Sequence, residues 1–123
     1  MTKEKAKSIM IDGIKYVPEG SSQPAISLKG MKYCIVRTYS AGVFAGYVES
    51  RKGQEVVMRN ARRLWSWAGA ASLSQLAMEG TSAPSSCKFP CEVEKVELLQ
   101  AIEILQCTKV AQESINKVPV WSN

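Results

Sequence analysis

Residues 59–77 read RNARRLWSWAGAASLSQLA, and the fold prediction starts from this stretch. Its first half suits an extended chain, and its second half has apolar residues at helical spacing. Gly80 suits the position just after the end of a helix. The stretch therefore predicts a strand over residues 56–67 that leads into a short helix over residues 69–79. The apolar face of that helix would consist of Leu73, Leu76 and Ala77.

The residues before this stretch predict further strands joined as hairpins. Residues 31–36 and 43–48 are rich in strand-forming side chains, and the loop 38–42 separates them. A Lys-Gly turn then leads into a third strand over residues 54–58. Consecutive strands with short connections pair antiparallel, so we expect a mainly antiparallel sheet.

The N-terminal part of the chain predicts an arm. Residues 9–17 have apolar side chains on both sides of an Asp-Gly pair, which favours a tight hairpin turn. A two-stranded hairpin is marginal alone, so it must pack on the domain or on another subunit. Residues 18–30 are rich in Ser, Gly and Pro and read as a linker or long loop. We therefore expect an arm with linker over residues 1–30 and one ligand-binding domain over residues 31–123.

The C-terminal third is harder to interpret. Residues 92–106 partly fit a helix but also alternate, and we favour two short strands. Thr108 suits the cap of a last helix that continues through Ile115, and residues 118–121 would pack as a tail. The whole chain thus predicts an α+β fold. It would combine a mainly antiparallel sheet built from hairpins with one or two short helices and the N-terminal hairpin arm.

The amino-acid composition limits the classes of function that the chain can perform. The 123 residues contain no histidine and one aspartate, so a Ser-His-Asp or Cys-His catalytic device cannot be built. The net charge of +5 suggests an anionic partner, although lysines at the surface alone would also produce it. The sequence has no long apolar run and starts with a polar, lysine-rich segment, so we expect a cytoplasmic protein with no membrane partner. A non-enzymatic binding protein is favoured.

The cysteines do not suggest a metal site. Cys87 and Cys91 form the closest pair, but structural zinc sites use tighter pairs and a second pair of ligands. Free buried thiols are the default in such a chain. We therefore expect no metal and no cofactor.

The stretch RNARRLWSWAGAASLSQLA carries the candidate site. If residues 56–67 are extended, one face carries four large side chains, which are Arg59, Arg63, Trp65 and Trp67. The other face carries Asn60, Arg62 and Leu64. Guanidinium groups match phosphate oxygens, and indoles offer flat surfaces for a purine. Small residues at the helix start would let a ligand approach backbone N–H groups. Two aromatic residues of the neighbouring hairpin could also stack on a base. The candidate ligand-binding residues are Tyr39, Phe44, Arg59, Asn60, Arg62, Arg63, Trp65, Trp67 and Ser72.

Each of these residues also has a structural interpretation. Tryptophans at i and i+2 on a strand are often core or interface residues. Two of the three arginines could pair with the chain's many glutamates at the surface. Phe44 could equally belong to the core.

A longer part of the chain resembles a known family. The run MKYCIVRTYSAGVFAGYVESRKGQEVVMRNARRLWSWAGAASLSQLAMEG (31–80), with the later CKFP and AIEILQCT, resembles the Thoeris anti-defence sponge proteins of the first described type. These are small phage and prophage proteins. The resemblance covers roughly residues 31–110, and its most specific part is RRLWxWxGAASLSQLA (62–77).

The resemblance implies a sponge for an immune signal. Such proteins bind cyclic ADP-ribose isomers made by bacterial TIR-domain enzymes and hold them intact, so the defence effector is not activated. They assemble into oligomers, and some members also capture cyclic oligonucleotides at a separate site. The resemblance therefore implies a homo-oligomer in the cytoplasm of an infected or lysogenic bacterium, with cyclic di- or trinucleotides as further ligands.

Two other classes of function stay open at this point. The same arginines and tryptophans could bind a nucleic acid, but no continuous Lys/Arg stripe supports it. The tryptophans could also anchor a protein–protein inhibitor or an assembly protein.

Overall fold

The computed structural model describes residues 9–11, 14–16 and 23–123, which form an α+β fold with a five-stranded antiparallel sheet. The N-terminal strands β1 and β2 form a separate two-stranded antiparallel pair. The strands are β1 (Ile9–Ile11), β2 (Ile14–Tyr16), β3 (Lys32–Thr38), β4 (Val43–Lys52), β5 (Glu55–Arg63), β6 (Val93–Leu98) and β7 (Ala101–Gln106), and the helices are α1 (Leu73–Glu79) and α2 (Lys109–Lys117).

The five-stranded sheet curls on itself. Its strand order is β6-β5-β4-β3-β7, so β6 and β7 lie at opposite edges although only Leu99 and Gln100 connect them. The connection is held on both sides: the Tyr39 amide donates to the Gln100 carbonyl, and the Ala101 amide donates to the Gln54 carbonyl, each at 2.9 Å. Irregular pairing within β3–β7 and β4–β5 supplies the bend, since a bulge increases twist and curvature.

Curling gives the sheet two cores. One is formed by the strands alone, and it consists of Val36, Phe44, Val56, Met58, Ala61, Leu98 and Ala101. The other lies between the opposite face of the sheet and the two helices. It consists of Tyr33, Ile35, Ala45, Leu64, Leu76, Ala77, Cys87, Phe89, Cys107, Ala111, Ile115 and Val118. We call these the strand core and the helix-side core.

A bulge in β5 decides which way the arginines point. Ala45 pairs with Arg62 and Tyr47 pairs with Arg59, so Gly46 faces two residues, Asn60 and Ala61. Asn60 has φ +50°, a left-handed conformation that asparagine tolerates better than most residues. The extra residue shifts the alternation of side chains by one position.

The prediction that Arg59 and Arg63 share one face is therefore wrong. Arg59 pairs with Tyr47, which packs on the helix-side core. Arg63 lies over the ring of Phe44, which belongs to the strand core. The inserted residue at the bulge places the two arginines on opposite faces of the sheet.

Gly46 is required by the same bulge. A Cβ atom at this position would lie 2.7 Å from Ala61 Cα and 3.1 Å from the Arg59 carbonyl oxygen, and backbone atoms cannot move aside cheaply. We expect Gly46→Ala to lower the free energy of unfolding by about 1–3 kcal/mol, the usual cost of overpacking. Urea denaturation measures this, with the exposed Ser50→Ala as control, expected within about 0.5 kcal/mol of the parent. Equal stabilities for the two variants would contradict the close approach.

Most predicted elements are confirmed, with shifted ends. The first helix begins at Leu73 rather than at residue 69, because Ser72 caps it by accepting from the Gln75 amide. Gly80 ends it with φ +78°, as predicted. Thr108 caps α2, which runs on to Lys117. The ambiguous residues 92–106 form two strands.

The N-terminal hairpin prediction is confirmed for its strands, in which Ile11 pairs with Ile14; the Asp-Gly turn lies outside the described residues. Residues 24–28 of the predicted linker are attached to the domain. The Ala25 amide donates to the Cys107 carbonyl, and Ile26 exchanges two hydrogen bonds with the Gln112 side chain. No helix in the described part of the chain is long and apolar enough to cross a membrane.

Candidate functional site

Arg63, Trp65 and Trp67 line one cleft, together with the loop between β3 and β4. The cleft has a volume of about 310 Å³, and Ser40 to Val43 form its opposite wall. The two walls are joined where the Leu64 amide donates to the Val43 carbonyl at 2.7 Å. Three of the sequence candidates are thus brought together, and we call this place the arginine–tryptophan cleft.

The loop wall of the cleft is held from inside. The Thr38 hydroxyl accepts from the Ala41 amide at 2.9 Å and donates to the Gly42 carbonyl at 2.7 Å. Gly42 has φ +99°, which the tight turn requires and which side-chain-bearing residues rarely adopt. Ser40 donates to the Gln100 side chain at 3.1 Å. The wall is therefore formed before any ligand arrives.

Arg63 is the cation of the cleft. Its side chain is exposed, and its guanidinium carbon lies 4.5 Å from the centre of the Phe44 ring. Cation–π contact of this kind orients the guanidinium without using its N–H groups. Within residues 23–123 no carboxylate lies within ion-pair distance of Arg63. Its donors are available to an anion.

The tryptophans of the cleft differ in exposure. Trp65 is 63% exposed, whereas Trp67 is half-buried and packs against the helix-side core. Trp121, which the sequence interpretation assigned to a packing tail, lies with its ring stacked on that of Trp65. Sequence spacing could not reveal this contact, because 56 positions separate the two residues; only their shared residue type hinted at it.

Arg62 is buried inside the fold. It is 5% exposed, and all five of its N–H groups donate to backbone carbonyls at 2.7–3.3 Å. Burial lowers the pKa of its guanidinium. Arg62 has no N–H left for a phosphate, so it acts as a scaffold and not as a ligand clamp. The five acceptors are the carbonyls of Phe89, Pro90, Ile115, Val118 and Pro119.

Arg59 and Asn60 lie in a different cleft, of about 590 Å³, on the other face of the sheet. Arg59 forms an ion pair with Glu49 there, and the pKa of that carboxyl is lowered by the hydrogen bond from Arg59. Glu94 also lines this cleft. Lys29 lines it as well, so two carboxylates offset two cations, and an anion would be bound less well here than at Arg63.

The three remaining candidates are separated from one another. Phe44 is 3% exposed and supports Arg63 from below, whereas Tyr39 is 77% exposed at the start of the loop. The Ser72 hydroxyl accepts its capping bond from the Gln75 amide and keeps its own O–H as a donor. At Gly69 the loop after α1 packs closely on one side, since a Cβ would lie 2.5 Å from the Ala83 amide nitrogen. Gly69, Ala71 and Ser72 are exposed, and the approach of a ligand to the helix start stays a prediction.

The residues that line the arginine–tryptophan cleft suit binding. They provide one guanidinium, two indoles and one hydroxyl, and they include no carboxylate and no thiol. Among the described residues, no three His, Cys, Asp or Glu side chains are grouped so that they could hold a metal. All four cysteines are free thiols, of which only Cys91 is exposed. Such a cleft can hold an anion beside a flat ring.

One family model matches this chain, over residues 31–115, and its description is "Domain of unknown function (DUF6948)". The matched range includes all five strands of the large sheet and every residue that lines the arginine–tryptophan cleft. No curated protein and no solved structure matches the chain. The chain therefore belongs to the DUF6948 family of domains of unknown function.

Proposed function

We propose that the protein sequesters a cyclic ADP-ribose-type immune signal without converting it. One observation carries the proposal: Arg63, with no carboxylate partner in the described structure, lies beside the exposed indole of Trp65 in a preformed cleft. A cyclic ADP-ribose isomer combines a diphosphate with an adenine ring. The cleft offers a matching group for each.

Each part of the ligand has a partner of suitable chemistry. The Arg63 guanidinium binds the diphosphate through two parallel N–H groups. The indoles of Trp65 and Trp67 offer apolar faces to the adenine and the riboses. The Ser40 hydroxyl, at the opposite wall, accepts a hydrogen bond from a ribose hydroxyl.

The signal leaves the cleft chemically unchanged. Glycosidic or phosphoester cleavage at neutral pH needs a positioned acid or base, and the sequence has no histidine. The residues that line the cleft include no carboxylate to replace it. Bound signal is withheld from the defence effector of the bacterial host, and this withholding is the proposed benefit to a phage.

Assembly into a homo-oligomer is part of the proposal. A cleft of about 310 Å³ is at the small end of the range for ligand sites, and those sites bury most of their ligand. A second copy packed over the cleft would exclude water and strengthen the charged contacts. Cyclic di- and trinucleotides are included as further ligands, and the assembly works in the host cytoplasm.

The test is recovery of the ligand. The protein is incubated with cyclic ADP-ribose and its isomers, separated from free nucleotide, denatured by heat, and the supernatant is analysed by liquid chromatography and mass spectrometry. We expect one isomer to be retained and released intact. Recovery of a hydrolysed product would show that the protein is an enzyme. If no isomer is retained, the proposal that the ligand is a cyclic ADP-ribose isomer is contradicted.

A second arm separates nucleic-acid binding. Single-stranded DNA or RNA is titrated at rising salt, because polymer binding through phosphate contacts weakens steeply with ionic strength. We expect at most weak polymer binding. If the protein binds DNA or RNA tightly and in a salt-sensitive way but does not retain the cyclic nucleotide, its function is nucleic-acid binding and not sequestration.

A further inference from the structure

The C-terminal tail brings a second large ring to the arginine–tryptophan cleft. The rings of Trp65 and Trp121 are within 13° of parallel, with centroids 6.3 Å apart. Both remain open to solvent, with exposed fractions of 63% and 43%. A pair that served only packing would bury more of its surface, since indoles contribute most when they are removed from water.

Backbone hydrogen bonds fix the positions of both tryptophans. The Trp65 amide donates to the Lys88 carbonyl, and the Trp121 amide donates to the Phe89 carbonyl, each at 3.0 Å. Residues 88–89 thus form a short central segment with one tryptophan held on each side. Ser66 and Lys88 form an antiparallel bridge, and Phe89 and Val120 form a parallel one.

Arg62 fixes the same tail from inside. Its guanidinium donates to the Val118 and Pro119 carbonyls, just before Trp121, and to the Phe89 carbonyl of the central segment. The tail and the segment on which it rests therefore share one buried donor. The parallel arrangement of the two indoles is a consequence of this framework.

The surface around the rings is positively charged. Lys88 Nζ lies 5.6 Å from the centre of the Trp121 ring, and Arg63 lines the cleft beside Trp65. Flat apolar faces bordered by cations are complementary to a nucleotide, whose base is planar and whose phosphates are anionic. We call Trp65, Lys88 and Trp121 the tryptophan ledge.

We infer that the tryptophan ledge is the base-binding surface of the site and that Trp121 is a ligand-binding residue. This inference rests on the proposed function and specifies how the nucleotide lies: its diphosphate is bound by Arg63, and its purine stacks on the ledge. Stacked carbon atoms lie about 3.5–4.0 Å apart, so a base inserted between two rings needs about 7 Å. The 6.3 Å between the centroids is less than that. The base therefore stacks on an outer face of the pair.

The test replaces Trp121. Trp121→Ala and Trp121→Phe are compared with Val120→Ala, an exposed neighbour in the same tail, and circular dichroism confirms folding. Calorimetry measures the affinities for cyclic ADP-ribose, AMP and ribose 5-phosphate. Because stacking of a base contributes substantially to affinity, we expect Trp121→Ala to weaken the binding of cyclic ADP-ribose and of AMP about 10- to 100-fold. Trp121→Phe keeps a smaller ring and should lose less affinity than Trp121→Ala, whereas Val120→Ala should stay close to the parent. The affinity for ribose 5-phosphate, which has no base, should not change in Trp121→Ala.

The outcomes separate the two proposals. If the parent and Trp121→Ala bind cyclic ADP-ribose equally well, the base does not stack on the tryptophan ledge, and the proposed sequestration is unaffected. If the protein binds AMP in a way that depends on Trp121 but does not bind cyclic ADP-ribose, base stacking on the tryptophan ledge is supported and sequestration of cyclic ADP-ribose is contradicted. If the parent binds neither nucleotide, both proposals are contradicted. If Trp121→Ala loses as much affinity for ribose 5-phosphate as for AMP, Trp121 acts through the fold and not on the base.

Discussion

Arg62→Met should lower the free energy of unfolding by about 3–5 kcal/mol. The substitution keeps an unbranched side chain but removes the guanidinium, with all five N–H donors, from a residue that is 5% exposed. Five carbonyls lose a hydrogen bond, and a buried carbonyl that is left with no donor costs about 1–3 kcal/mol when water cannot replace it. The Phe89 and Ile115 carbonyls keep a second donor, the Trp121 and Val118 amides. Some of the five lie near the surface and regain water, which keeps the total below the sum. The melting temperature should fall by on the order of 10 °C or more.

The neighbouring arginine provides the matched control. Arg63→Met changes the same side chain one position later, where it is exposed, and should alter stability by less than about 1 kcal/mol. Arg62→Lys, which keeps the charge but has only three donors, should lie between the parent and Arg62→Met. Thermal and urea denaturation of the parent and the three variants measures this order of stabilities. If Arg62→Met is as stable as Arg63→Met, the five-bond arrangement is not what holds the C-terminal tail.

Arg63→Met should weaken binding of cyclic ADP-ribose by about 10- to 100-fold. Arg63 is the only charged residue that lines the arginine–tryptophan cleft in the described structure, and hydrogen bonds to charged groups contribute about 1.5–3 kcal/mol. Arg63→Lys keeps the charge but cannot form two parallel N–H bonds, so an intermediate loss is expected. Isothermal titration calorimetry gives the affinities.

Arg59→Met is the control for this effect. Arg59 belongs to the same strand but is paired with Glu49 in the cleft on the other face of the sheet. Its replacement should leave the affinity for cyclic ADP-ribose within about twofold, since its charge is already compensated. A loss at Arg59 as large as the loss at Arg63 would place the diphosphate elsewhere or show a general effect of net charge.

The sequence predicted the elements well where the pattern was local. Strand-forming runs separated by Gly-containing turns correspond to β3, β4 and β5, and Thr108 caps α2 as predicted. The cap of α1 at Ser72 was not predicted, because that helix was expected to begin at residue 69. Turn chemistry and capping depend on a few adjacent residues, so they can be read directly from the chain. Closure of the sheet could not be read in this way, because the pairing of β6 with β5 and of β7 with β3 joins distant segments.

The candidate site was predicted in part. Arg63, Trp65 and Trp67 come together because they are close in sequence and lie beyond the bulge. Simple alternation failed at Asn60, since one inserted residue reverses the faces before and after it. Nothing local distinguishes Arg62 from Arg63; only the packing of α2 and the tail makes the first a buried scaffold residue and leaves the second at the surface.

Native mass spectrometry of the parent protein and of Arg63→Met, each mixed with cyclic ADP-ribose and its isomers, tests the central claim most directly. It reports the number of subunits, the bound mass and the dependence on Arg63 in one experiment. We predict that the parent is a homo-oligomer carrying one isomer at its unchanged mass. Arg63→Met should keep the subunit number but hold much less ligand when the isomer is titrated around the concentration that half-saturates the parent. Equal ligand occupancy in the two proteins, a bound hydrolysis product, or no bound isomer in the parent would contradict the proposed sequestration at Arg63.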